Sequence, residues 1–201
     1  MGILLDRECV VFDLETTDIG VAHAAGGCGL PSIVEIGAVR VSTDLEVLET
    51  YSSLVRPPNL SAFTPFCQSL TGIKVEELEA ASEWPDVWRG FAEFTNFNAT
   101  RLVAWHASFD TAVLRAAYVR NRLGFPHSVT PFCAASMLYG IFAAWGISCP
   151  SWSLKKACSQ FDVEIKDAHR ALGDARATAD LLRAVSDYLD YLEGESHGGT
   201  T

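Results

Sequence analysis

Val10, Val11 and Phe12 form an apolar run that ends in Asp13-Leu14-Glu15-Thr16-Thr17. Such β-branched and aromatic residues predict a buried strand. Asp13 and Glu15 stand two apart, so on a strand their side chains share one side. Asp18 to Pro31, rich in Gly and Ala, predicts a flexible loop. Ser32 to Val41 carries Ile33, Val34, Ile36, Val39 and Val41 and predicts a second strand. Glu49 to Arg56, stopped by Pro57-Pro58, predicts a third. Short connections between these strands imply an antiparallel meander.

Helical periods follow. Thr64-Pro65 starts a short helix that Gly72 ends. The next begins near Ser82, with Pro85 in its first turn and Trp84, Val87, Trp88, Phe91 and Phe94 at helical spacing. These aromatics predict core rather than a binding stripe. Leu102-Val103-Ala104 is a short buried strand that feeds Trp105-His106-Ala107-Ser108-Phe109-Asp110. A helix then runs to about Leu123, with Val113, Leu114, Ala117 and Tyr118 inward, Arg115, Arg120 and Arg122 toward water, and Gly124 as its stop. Ser153 to Phe161 predicts another short helix. The last begins near Ala171, where Leu172, Ala175, Ala179, Leu182, Val185, Leu189 and Leu192 step by three and four. Asp174 borders that stripe in the first turn, and His169 lies just before it. Residues 1–193 read as a single domain, and the polar tail from Gly194 to Thr201 as disordered. Strands, then alternating strand and helix, then helices imply an α/β fold: a mixed sheet with helices on its faces.

Composition narrows the partners. A chain of 201 residues is long enough for one sizeable core. Its net charge of −10 excludes a general electrostatic affinity for polyanions, so nucleic acid would have to be gripped locally, through metal ions or a few cations. None of the six cysteines forms a C-x-x-C pair, which leaves no zinc framework and predicts buried, reduced thiols in a cytoplasmic protein. Asp6 and Glu8 stand where a signal peptide needs an apolar run. From Phe132 to Cys149 no residue is charged. Glycines, serines and the following Pro150 argue against a membrane span, and the segment predicts a helix buried in the core or covered by a second copy or another protein.

Asp13, Glu15, Asp110 and Asp174 each begin or end an element, where side chains of neighbouring elements can converge. Two carboxylates about 4 Å apart repel by about 4 kcal/mol at an effective dielectric of 20. Four in one cleft therefore call for protonation or for divalent cations, and hard oxygen donors suit Mg²⁺ or Mn²⁺. Two such ions can activate a water and stabilise the leaving oxygen of a phosphodiester. His169 would take the proton from that water, a role an imidazole suits near neutral pH.

Three stretches carry a family resemblance: Phe12-Asp13-Leu14-Glu15-Thr16-Thr17, Phe109-Asp110, and His169-Arg170-Ala171-Leu172-Gly173-Asp174-Ala175. They resemble the motifs of the DEDDh exonucleases, the DnaQ-like group of proofreading and RNA-trimming enzymes. Ile33 to Val41 is similar to that family's second strand. The resemblance covers roughly Cys9 to Tyr191. It implies an RNase H-like fold with a five-stranded mixed sheet flanked by helices, and 3′→5′ removal of nucleoside monophosphates from single-stranded DNA or RNA ends. It also implies two divalent ions, Mg²⁺ or Mn²⁺, held by Asp13, Glu15, Asp110 and Asp174, with His169 as general base. Leu14, Thr16 and Thr17 would flank the terminal nucleotide. Trp105-His106-Ala107 departs from the His-Asn-Ala common before the second motif, and the loop from Asp18 to Pro31 is longer than usual. Phe66 to Ile73 resembles the RNA-trimming branch more than the proofreading branch, and DNA versus RNA stays open. The alternatives are a polymerase's proofreading subunit and a non-catalytic module that binds a partner through the same fold.

Overall fold

The computed structural model describes residues 3, 5–18, 20, 29–123, 130–148 and 153–197. Most of the Gly-rich loop after Asp18, the Gly124 stop and Cys28 and Cys149 lie outside them. Five strands form one mixed sheet in the order β3-β2-β1-β4-β5: β1 Cys9–Thr16, β2 Ile33–Val41, β3 Val47–Leu54, β4 Arg101–Ala104 and β5 Phe132–Cys133. β1, β2 and β3 form the expected antiparallel meander, while β4 runs parallel to β1 and β5 parallel to β4. β3 begins two residues earlier than its pattern implies. The two-residue β5 is too short for any periodicity to reveal.

Seven helices are described, with a 3₁₀ turn at Leu60–Ala62: α1 Pro65–Thr71, α2 Val75–Ala80, α3 Trp84–Thr95, α4 Ala107–Arg120, α5 Ala134–Trp145, α6 Leu154–Gln160 and α7 Ala171–His197. Gly72 ends α1 with φ of 72°, the left-handed cap that a glycine adopts freely. α2 is too short to announce itself and has Lys74, a poor cap, before it. α4 starts three residues before Asp110, so this acid sits in the first turn. α7 runs to His197, past Gly194, where the polar composition implies that order ends.

Alternation along β1 and β2 splits the core. Val10, Phe12, Leu14, Ile36 and Ala38 pack against α3 and α4, where Trp84, Val87, Phe91 and Tyr118 are buried. The aromatics of α3 are core, with Trp88 stacked on Phe97. Cys9, Val11, Val39 and Val41 face the other way, toward Leu138 and Phe142 of α5 and Leu181, Leu182 and Val185 of α7. Cys9, Cys67, Cys133 and Cys158 are free thiols. No helix among the described residues is long and apolar enough to cross a membrane. The uncharged segment instead folds as β5 and α5, with Ala134, Ala135, Leu138 and Phe142 buried and Tyr139 and Trp145 exposed.

Candidate active site

The same alternation that turns Val11 toward α7 turns Asp13 and Glu15 that way two and four residues later. In β2 the register sets Gly37 opposite Asp13 and Glu35 opposite Glu15. The α7 face of the sheet therefore changes at mid-strand from apolar to acidic. A hydrogen bond from the Thr17 N–H to Ser32 O (2.8 Å) and one from the Ser32 N–H to Thr17 Oγ1 (2.9 Å) fasten the end of β1 to the start of β2.

Gly37 decides how closely α7 approaches. A Cβ there would collide with the backbone of Ala171 and Leu172, so only a bare Cα lets the first turn of α7 lie flat on β2 beside Asp13. Gly173 repeats the device one layer out: a Cβ would strike the carbonyls of Lys166 and Asp167, which cross over the helix start. With both contacts made, Asp13, Glu15 and Asp174 each offer a carboxylate oxygen, all within 4.8 Å of one another.

The parallel pairing of β1 with β4 brings in the fourth acid. β4 ends at Ala104 and the chain turns through Trp105-His106 into α4, whose first turn carries Asp110, 4% exposed. Crevices beyond the C-terminal ends of parallel strands are where α/β folds gather ligand-binding groups. Asp110 is not one of the three acids within 4.8 Å, yet its charge acts directly on Asp13.

These acids are poor in cations. Burial, then Asp110, Glu15 and Asp174, hold the Asp13 carboxyl well above the usual carboxylate range. Burial, with Asp174 and Glu35 adding repulsion, pushes Glu15 up to about 8. Burial takes Asp110 to about 7. Asp174 is raised by burial and eased back by His169, through its charge and its backbone hydrogen bond. Clustered hard oxygen donors with their charges uncompensated are the donor set that fits a divalent metal ion.

His169 is exposed, in the turn before α7, with φ of 61°. Thr16 and Thr17 line a cleft of about 230 Å³ beside Glu15, completed by Asp18, Phe66, Cys67, Leu70 and Thr71. Leu14 does not reach it: this side chain is 6% exposed and packs with Phe12 on the opposite side of the sheet. The alternation that pairs Asp13 with Glu15 already excludes Leu14 from their side. Sequence reasoning also passed over Glu35, Gly37, Arg170, Gly173 and the exposed pair Phe66 and Leu70. Gly37 carries no local signal, because the backbone it admits, at Ala171 and Leu172, lies more than a hundred residues away. Glu35, an acid inside an apolar strand, was a signal available in the sequence.

A family model described as exonuclease, of the RNase T type, matches residues 10–182. The PolC-type DNA polymerase III of Bacillus subtilis is 32% identical over 184 residues, which span 89% of this chain and 11% of that protein. A Mycobacterium tuberculosis protein named as a bifunctional exonuclease/endonuclease is 34% identical over 184 residues, 90% of this chain and 27% of that one. The chain thus spans about a tenth and about a quarter of the length of these two relatives. Among solved structures, the nuclease domain of 3′hExo, a DEDDh family member bound to rAMP, superposes with a TM-score of 0.72 at 18% identity, over 90% of this chain and 92% of that domain.

Proposed function

This chain belongs to the RNase T exonuclease family, and on that premise we propose that it is a metal-dependent 3′→5′ exonuclease of the DEDDh type, acting through one catalytic domain on single-stranded 3′ ends. The observation that carries the reading is the convergence of Asp13, Glu15 and Asp174, with carboxylate oxygens within 4.8 Å of one another, beside Asp110. These four acids would hold two divalent ions, Mg²⁺ or Mn²⁺. When bound, such ions polarise the scissile phosphodiester and make the attacking water more acidic.

The chain's own residues do the rest. His169, next to Asp174 and open to solvent, receives the proton of the attacking water. Thr16 and Thr17 bound the cleft that receives the terminal nucleotide, and Phe66 and Leu70, 67% and 41% exposed, offer its base an apolar face. Base–aromatic stacking contributes about 1–3 kcal/mol per base and tolerates any sequence, as stepwise trimming requires. Stacking and metal contacts supply local grip where a net charge of −10 supplies no long-range attraction. The free thiols fit a reducing, cytoplasmic setting.

Similarity to PolC-type polymerases favours one second reading, in which a polymerase hands over the 3′ end. Co-purification with a polymerase separates it from a free-standing trimmer. The chemistry is tested at the acids. Asp13→Ala and Asp174→Ala are expected to lower turnover by about a thousandfold, equivalent to about 4 kcal/mol of transition-state stabilisation. The fold persists, because each change also relieves like-charge repulsion. Near-normal turnover of either variant at saturating Mg²⁺ would refute the two-metal assignment.

A further inference from the structure

We propose that Glu35, acting through Arg170, is a positioning residue that holds His169 and the first turn of α7 against the acids; the proposal rests on the base role assigned to His169 above. Glu35 is 1% exposed and stands across the β1–β2 ladder from Glu15. Its charge also acts on Asp13 and Asp174. A buried carboxylate there adds repulsion to a site already crowded with acids, so its presence needs a compensating task. Its bonds identify that task. Arg170 Nη2 donates to Oε1 at 2.7 Å, and Arg170 Nε donates to both oxygens at 3.1 Å. The Ala171 N–H donates to Oε2 at 3.0 Å. One carboxylate thus grips the two residues that follow His169, forking onto a guanidinium and satisfying an otherwise unpaired donor at the start of α7.

His169 needs such a grip. Its φ of 61° and the φ of 54° at Asp167 put two non-glycine residues of one turn in the left-handed region. That geometry persists only where the surroundings over-determine it. The Glu35 clamp fixes the turn on the C-terminal side. The carbonyls of Lys166 and Asp167, seated on Gly173, fix the N-terminal side. Glu35 touches no substrate in this account. It sets where the His169 ring and the Asp174 carboxylate stand relative to Asp13 and Glu15.

The alternative is that the pair only cancels charge, and a variant series separates the two. Glu35→Gln keeps the size of the side chain but replaces one accepting oxygen with an NH₂ donor, so it cannot accept from both Arg170 and the Ala171 N–H. With a 5′-labelled single-stranded oligonucleotide and Mg²⁺, it is expected to lower kcat by about 10–100-fold with KM unchanged, the range typical of residues that orient catalytic groups. The double variant Glu35→Gln/Arg170→Met removes the unpaired cation. Thermal stability should return while kcat stays low. Recovery of kcat in the double variant would overturn the proposal. NMR of the full chain gives a readout independent of activity: the His169 ring signals, assigned by their loss in His169→Ala, should be single in the wild type and broadened or multiple in Glu35→Gln. Unchanged ring signals would overturn the clamp. Full turnover by His169→Ala would instead refute the base assignment, and the ring signals would still decide whether Glu35 orders the turn.

Discussion

Glu15 and Asp110 are acids that folding makes weaker, and this gives the metal-free protein an unusual pH dependence. Glu15 rises from an ordinary 4.5 to about 8 and Asp110 from 3.8 to about 7, both chiefly through burial. Between the ordinary and the raised values the folded state binds more protons than the unfolded chain, so stability falls as pH rises. Their contribution is fully present below about pH 4 and is lost progressively up to about pH 8. Thermal melts in chelator are therefore expected to show a melting temperature that declines from pH 4 to pH 8. Saturating Mg²⁺ or Mn²⁺ should flatten or reverse the decline, because the ion binds the ionised site of the native state alone. A metal-free melting temperature that rises across this window would show that the four carboxylates are not crowded as described.

At the scale of elements, the docking of α7 on β2 assembles the site, and a single hydrogen at Gly37 permits it. Gly37→Ala forces the Ala171–Leu172 backbone outward. Overpacking of this kind costs about 1–3 kcal/mol. The variant should lose at least tenfold in turnover because Asp174 leaves the cluster, a loss that Leu14→Ala, on the far side of the sheet, should not reproduce at equal destabilisation. Circular dichroism and kinetics on the pair measure this. The elements themselves were largely legible in the sequence: β1 and β2 from their apolar runs, and α3 and α7 from their helical stripes. Asp110 and Asp174 fall in first helical turns, as their positions imply, whereas Asp13 lies in mid-strand rather than at an element end. The rest depended on contacts distant in sequence. Nothing near Gly37 announces a helix that begins 134 residues later, at Ala171. β5 exists only because β4 offers an edge, and the last turn of α7 continues through Gly194 despite its polar composition.

At the scale of the molecule, an acidic protein presents one uncharged helical face. α5 buries Ala134, Ala135, Leu138 and Phe142, while Tyr139 and Trp145 remain 48% and 42% exposed. Such patches on soluble domains usually have a use. We expect light scattering across a dilution series to reveal self-association, which Trp145→Glu should abolish without loss of helicity. A strict monomer at all concentrations would leave α5 a core helix only. The central claim, removal of nucleotides from a 3′ end by a metal-filled acid cluster, meets its most direct test in a polarity assay. Matched DNA and RNA oligomers labelled at the 5′ end are incubated with the protein and Mg²⁺ or Mn²⁺, alongside copies blocked at the 3′ end and a circular single strand. The expected result is a ladder that shortens from the 3′ end, no reaction in chelator, and intact blocked and circular substrates; cuts inside the circle, or a ladder that persists without metal, would overturn the assignment of a metal-dependent 3′→5′ exonuclease.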